Sequence, residues 1–260
     1  MTMDLKKRRA ILLYGIFILL LASCVSKKEI LYFQNKDTYQ ESTINYREPY
    51  IQPNDILKVE IGSTIPEAAI PYNKPVVGSA ASNSIDLIKL NGYVVSLDNK
   101  IELPILGKIS VKNKTLTELE KEIKQMLMKG KHLEQPTVTT RILNSKVTVL
   151  GEVKTPGTFY ITEPRVTLLQ VLGLAGDLTI NGKRKDVLLI REVEGKRKTI
   201  HIDLTDIDLI NQPYYQVQSN DVIVVPPNYA KVKSAGFIGS PGTIVSVTSL
   251  IISLTILFTR

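Results

Sequence analysis

Along residues 56–61, apolar Leu57, Val59 and Ile61 alternate with polar Lys58 and Glu60. A period of two predicts a strand with one buried face. The turn Pro53-Asn54-Asp55 launches it: Pro fixes φ, and the Asn and Asp side chains bond nearby backbone. Residues 62–90 carry Pro66, Pro71 and Pro75 without a sustained pattern and read as a long loop or insertion. Strand signals return at 92–95, at 101–104 after the turn Asp98-Asn99-Lys100, and at 106–111; the first two predict a β-hairpin. At Thr115 the period changes. Leu116, Leu119, Ile123, Met126 and Leu127 recur at helical spacing, Thr115 and Glu118 have the spacing of a capping box, and Gly130 is a stop. Pro136 then opens a strand over 137–142.

A second unit follows. Residues 146–152 alternate as a strand, Thr155-Pro156-Gly157-Thr158 is a turn, and 159–161 is a short strand. Thr167 caps a predicted helix holding Leu168, Leu169, Val171, Leu172 and Leu174, and Gly176 ends it. Strands are predicted over 187–191 and 199–204 around Glu194-Gly195-Lys196, and over 222–226 after Gln218-Ser219-Asn220-Asp221. Strand, turn, strand, one helix and further strands make a β-grasp-like order. The two units share a faint echo: Asn54-Asp55 and Asn220-Asp221 each sit in a turn that launches a buried strand. One copy per unit does not make a solenoid.

The amino terminus reads as an address. Lys6-Lys7-Arg8-Arg9 is cationic, residues 10–21 are apolar apart from Tyr14 and Gly15, and Leu21-Ala22-Ser23-Cys24 follows. A charged start, a short apolar core and small residues before a cut define a secretory signal peptide over 1–23. About 12 apolar residues rise only about 18 Å as a helix, short for a membrane span. Leu-Ala-Ser-Cys resembles the lipobox of bacterial lipoproteins. That resemblance implies cleavage before Cys24 and transfer of a diacylglycerol to its thiol, and several acyl chains together anchor stably. An uncleaved signal anchor with an incidental cysteine is the alternative. Val25, where an Asp would suggest inner-membrane retention, favours the outer membrane. Residues 25–48 are polar and unpatterned, so 24–48 is expected to be a lipidated tether. Within it Glu29-Ile30-Leu31-Tyr32-Phe33-Gln34 has the look of an engineered protease site and is read as native.

At the other end, 229–240 reads as a linker with a Gly-Ser-Pro hinge over 236–242, and Pro241 is placed to start a helix. Residues 243–259 carry no charge and are rich in Ile, Leu and Val. As a helix they rise roughly 25 Å, and the bacterial outer membrane is thin. Residues 241–260 are therefore expected to form a transmembrane helix. Thr243, Ser246, Ser249 and Ser253 fall within about 120° of one another at roughly 100° per residue, a candidate pore or helix-contact stripe. Thr248, Thr255 and Thr259 lie opposite. A single-pass tail anchor and a buried strand or helix of a soluble fold remain as alternatives, since Ile, Val and Thr also suit strands.

Composition changes little in this picture. Of 260 residues 43% are hydrophobic, which suffices for real cores, and 22% are charged. Without the first 23 residues, where four basic groups stand against Asp4, the formal charge falls from +8 to +5. A modest positive field suits an acidic polymer or an anionic membrane. The basic residues are scattered and there is no Trp, so nucleic-acid binding is not expected. Cys24 is the one cysteine, so no intrachain disulfide is available. No catalytic site is legible, and no cofactor or metal is implied. His132 and His201 have no partner at metal-ligand spacing. No phosphate loop or nucleophile elbow occurs. Asp206 and Asp208 mimic a glycosidase pair but precede the turn-prone Asn211-Gln212-Pro213. Asp55 and Asp221 read as turn formers.

Residues 51–57, with Asn54 where Gly is usual, then 92–111 with Ile101-Glu102-Leu103-Pro104 and Leu106-Gly107-Lys108, then Val149-Leu150-Gly151-Glu152-Val153 with Pro156-Gly157 and 168–176, together resemble the polysaccharide export outer-membrane lipoproteins. The resemblance implies an α+β chain: a polysaccharide-export domain over 49–143, one β-grasp domain of the SLBB type over 144–228, and the carboxy-terminal transmembrane helix. It implies a non-enzymatic capsule or exopolysaccharide export channel, lipid-anchored in the outer membrane with most of the chain in the periplasm. Copies form a homo-oligomeric ring, and their carboxy-terminal helices make an α-helical pore. The implied partners are the polysaccharide and an inner-membrane polysaccharide copolymerase of the tyrosine-kinase type. Some members carry two or more β-grasp domains; one is legible here, which implies a shorter channel. A monomeric periplasmic lipoprotein whose β-grasp domain binds glycan without a pore is the competing function.

Overall fold

The computed structural model describes residues 27–35, 37, 39, 43, 48–75, 89–193, 195–234 and 241–258. The signal peptide and Cys24 lie outside them. Two hydrophobic cores divide the chain, one built from residues between Ile51 and Leu133 and one from residues between Val147 and Val225.

In the first domain β1 (Ile56–Gly62) buries Leu57, Val59 and Ile61, as its alternation predicts. It is central in a three-stranded antiparallel sheet, between β2 (Tyr93–Val94) and β5 (Thr137–Ile142). Helix α1 (Leu116–Lys129) opens on the expected capping box: the Glu118 amide donates to Thr115 Oγ1 at 3.2 Å, and the Thr115 amide donates to Glu118 Oε2 at 2.9 Å. Its apolar face puts Leu119, Ile123 and Leu127 fully inside the core. Gly130 caps it in a right-handed conformation, and Lys131 takes the left-handed one at φ 55°.

The hairpin differs from the expected one. β2 pairs with β1, and β3 (Lys100–Leu103) pairs with β4 (Gly107–Ser110). Two left-handed residues, Ile105 at φ 64° and Gly107 at φ 71°, close the three-residue connection Pro104-Ile105-Leu106. Residues 62–75, read as loop, hold a helical turn at Pro66–Ala69 and a tighter one at Ile70–Tyr72.

In the second domain β6 (Lys146–Gly151), β7 (Gly157–Tyr160), β9 (Val187–Val193), β10 (Lys196–Ile202) and β12 (Val222–Val225) form one sheet in the order β10-β9-β12-β6-β7. The pair β12–β6 is parallel, Ile223 opposite Val149, and its neighbours are antiparallel. A parallel pair needs a long crossover. Here helix α2 (Leu168–Leu174) and the β9–β10 hairpin supply it, which is the β-grasp topology. α2 has its own capping box, between Thr167 and Gln170. Gly151 is required, since it sits at φ 90° and a Cβ there would lie 2.0 Å from the Val225 carbonyl oxygen. Short β8 (Val166–Thr167) and β11 (Gln216–Val217) pair beside α2.

Asn144 fastens the junction. Its side chain accepts from the Ile56 amide at 2.8 Å and donates to the Asn54 carbonyl at 2.9 Å. Two stretches read as linkers have structure. Residues 229–234 of the expected linker form helix α3 (Tyr229–Ser234), and helix α4 (Pro241–Phe258) starts at Pro241. Residues 31–35 of the expected tether dock on the second domain.

Candidate functional site

The two Asn-Asp turns are one device used twice. Asn54 and Asn220 each adopt φ 67°, a left-handed conformation that Asn tolerates. Asp55 Oδ2 accepts from the Gln52 amide at 2.9 Å, and Asp221 Oδ2 accepts from the Gln218 amide at 2.8 Å. Both carboxylates are buried, and they act as turn formers. Arg191 donates to Asp221 from Nε at 2.9 Å and from a terminal nitrogen at 2.7 Å, and to the Gln216 carbonyl at 2.8 Å. Burial pushes the Asp221 carboxyl up, and the guanidinium pulls it back.

Asp55 is pushed by burial up to about 6, with the Gln52 amide pulling the other way. Against an ordinary 3.8 this costs the first domain about 3 kcal/mol at neutral pH. The folded value is the higher one, so the folded state holds the proton more tightly. The stabilisation is complete below about 3.8 and is lost as pH rises through about 6. Lowering the pH from about 7 to about 5 is therefore expected to raise the urea midpoint of the first domain. Asp55→Asn keeps the bond to Gln52 and is expected to abolish the rise. An unsubstituted midpoint that stays flat over that interval would refute the shift.

The amino-terminal strap and the loop beneath it form a joint. The Phe33 and Gln34 amides donate to the Leu204 and Thr205 carbonyls, and Asn35 bridges Asp206 Oδ1 and the Ile207 amide at 2.8 Å each. Tyr32 enters the second core and donates its hydroxyl to Asp177. Burial and that carboxylate both push the phenol up. The Arg184 guanidinium packs 5.4 Å from the Tyr32 ring. It also donates to the Thr179 and Gly182 carbonyls at 3.2 Å, so it shapes the loop that follows Asp177. The far side of that loop holds the departing carboxy terminus: the Asn228 amide donates to the Asn181 carbonyl, and Gly182 bridges Pro227. Residues 177–184 thus hold both ends of the chain.

Helix α4 has 18 residues and no charge. Its rise is about 27 Å, against about 30 Å of bilayer hydrocarbon. Among the described residues no helix is long and apolar enough to cross a membrane. Val245, Val247, Leu250, Ile252 and Leu257 are exposed, so the tail is not a buried element of a soluble domain. The helix carries Thr243, Ser246, Ser249 and Ser253 on one side. Ser246 donates back to the Gly242 carbonyl at 2.9 Å, and Ser249 and Ser253 are exposed.

The other candidates have structural roles. His132 Nδ1 meets the Tyr72 hydroxyl at 3.2 Å, and His201 Nδ1 meets Asp186 at 2.5 Å. Asp206 accepts from the Asp208 amide at 3.0 Å, which makes the two a turn. A concavity of about 670 Å³ beside the β3–β4 hairpin is lined by Lys74, Tyr93, Glu102 and Ile105. It offers one cation and one carboxylate, which is no acid pair. No cluster able to hold a metal occurs among the described residues.

The sequence reading missed Tyr32, Asp177, Arg184 and Arg191. Arg191 had a signal, because it follows Val187 and Leu189 on the buried parity of a strand. Tyr32-Phe33 had a weaker one, two adjacent aromatics after Ile30-Leu31 in a tether that is mostly polar.

An α+β domain is followed by a β-grasp domain, and no catalytic cluster occurs among the described residues. Residues 44–143 match the model of the polysaccharide biosynthesis/export proteins, and residues 146–203 match that of the SLBB domain. Among similar proteins are two described as EPS I polysaccharide export outer membrane protein EpsA. The one from Ralstonia solanacearum is 29% identical over 204 residues, 75% of this chain and 53% of the relative. The one from Ralstonia nicotianae is 30% identical over 208 residues, 75% of this chain and 52% of the relative. The chain thus spans about half the length of these relatives. Residues 44–143 thus carry the export domain of the polysaccharide export family, whose proteins are transport components, not enzymes.

Proposed function

We propose that this chain is a subunit of an outer-membrane export channel for a capsule or exopolysaccharide. One observation carries the reading: the export domain and the SLBB domain are followed by an uncharged helix on which Val245, Val247, Leu250, Ile252 and Leu257 are left uncovered by the described residues. Such side chains need lipid or copies of themselves. In a homo-oligomeric ring the α4 helices pack side by side in the outer membrane, and Thr243, Ser246, Ser249 and Ser253 face the lumen or a neighbouring helix. Small polar residues permit that close packing. Pro241 starts the span. Cys24 carries the lipid that holds the amino terminus to the same membrane. An inner-membrane copolymerase of the tyrosine-kinase type delivers the polymer from the periplasmic side.

Imaging of the detergent-extracted protein tests the ring. Class averages are expected to show a closed ring with a central hole, and particles of monomer size would remove the channel. In the same preparation, fatty-acid labelling is expected for the unsubstituted chain and not for Cys24→Ser. Equal labelling of both would end the lipid assignment.

A further inference from the structure

We infer that the concavity beside the β3–β4 hairpin binds a neutral hexose unit of the exported polymer, held between Lys74 and Glu102 against Tyr93. The choice of a sugar rests on the export reading; the geometry of the site does not.

Two features of this wall cost stability without serving the fold. Tyr93 is only 8% exposed, and its buried hydroxyl bonds to no group among the described residues. Burial pushes the phenol up, and the Lys74 amide, itself a donor, pulls the other way. The hydroxyl therefore stays protonated, a buried donor without an acceptor, which native proteins seldom keep. Ile105 is the second feature. It holds φ 64° at the hairpin tip, and a β-branched residue in the left-handed region is an outlier. Such outliers gather where ligands are clamped. Both residues line one concavity of about 670 Å³, within the ordinary range of small-ligand sites.

The polar groups choose the ligand. Lys74 Nζ donates to the Leu90 carbonyl at 2.8 Å and the Gly92 carbonyl at 2.9 Å, and it lies 5.7 Å from the centre of the Tyr93 ring. An ammonium has three hydrogens, so this one is fixed in place with one left to give. Glu102 is exposed on β3 and makes no hydrogen bond or ion pair among the described residues. Lys108 stands opposite it across the hairpin without pairing with it. Lys74 and Glu102 line the same concavity and do not pair with each other, which leaves room for a ligand between them. An anion there meets the carboxylate, and a cation meets the ammonium. A neutral diol satisfies both, because one hydroxyl accepts from Lys74 while its neighbour donates to Glu102. Charge-assisted bonds of this kind are about twice as strong as neutral ones. Val94 and Ile105 line the concavity with Tyr93 and remain 60% and 58% exposed, apolar surface for the C–H face of a pyranose. A conduit needs such sites to hold its cargo weakly enough to pass it on.

The test uses the full chain in a detergent free of sugar, with saturation-transfer NMR from protein methyl groups to added glycosides. The probes are the methyl glycosides of glucose, galactose and mannose, with that of glucuronate as the anion. At least one neutral glycoside is expected to take up saturation, and to take up more than the glucuronoside. Glu102→Gln is expected to lower its affinity about tenfold and to reverse that order, since the carboxylate that accepts the diol and repels the anion is gone. Glu102 is exposed and unbonded, so the urea transition of the variant is expected to stay in place. Three results would each overturn the site: no transfer to any neutral glycoside, a stronger signal from the glucuronoside in the unsubstituted chain, or signals unchanged by Glu102→Gln. Closed rings in the class averages that give no transfer overturn this inference and leave the channel standing. Monomer-sized particles that keep the charge-selective transfer support the site and remove the channel.

Discussion

Arg191→Met is expected to destabilise the second domain by about 3–5 kcal/mol. Arg191 and Asp221 have side chains only 8% and 1% exposed, so neither charge is solvated by water. Each is held by the other: the guanidinium spans both carboxylate oxygens, and its remaining reach goes to the Gln216 carbonyl. Removing the cation leaves Asp221 buried with the Gln218 amide still donating to it. The same charge also closes the turn that launches β12, the strand that makes the parallel pair of the sheet. A small domain has about 5–15 kcal/mol in all, so this loss is a large fraction. Urea unfolding followed by circular dichroism measures it. Adding Asp221→Leu in the Arg191→Met chain is expected to recover part of the loss, since two apolar groups replace a pair rather than break it. A change under about 1 kcal/mol for the single substitution would mean the carboxylate finds another donor.

Removing residues 241–260 is expected to abolish polymer export while leaving both domains folded. The two cores end at Val225, so nothing in either depends on α4. The circular dichroism of the truncated chain is expected to lose helix alone, and its urea transitions to stay in place. Secreted polysaccharide per cell is the functional readout, and export at the parental level would sink the membrane role of the tail. Ile252→Lys probes the same element without shortening it. Ile252 is exposed, and a charge facing hydrocarbon costs a few kcal/mol. A truncated chain that also fails to fold would be exposed by the urea transitions, so loss of folding and loss of the pore are told apart.

Much of this fold is legible in the residues because local rules agree. The alternation through Leu57, Val59 and Ile61, the Thr115–Glu118 box, and the glycine after α2 each act over a few residues, and each appears where it is expected. Pairing is less legible. Sequence order made β2 the partner of β3, but β3 folds back on β4 through a connection with Ile105 and Gly107 both at positive φ, and β2 pairs with β1. Burial parity marks the position of Arg191 as inward, but its partner Asp221 lies 30 residues on, which no local rule reaches. The tether was the hardest to read: its polar composition describes a solvated chain, and its contacts lie about 145 to 172 residues away. The stripe on α4 follows from helical geometry alone. Cys24 is carried by the local pattern of the lipobox, and it lies outside the described residues.

The strap sets an order on assembly. Tyr32 and Asn35 leave the ribosome early, yet Asp177, Arg184 and Asp206 are made well over a hundred residues later. The export domain has its own core, which needs none of these later partners. Closing so long a loop carries an entropic cost that grows only slowly with length, so the delay is kinetic rather than prohibitive. Residues 32–35 therefore dock only once the second domain is in place.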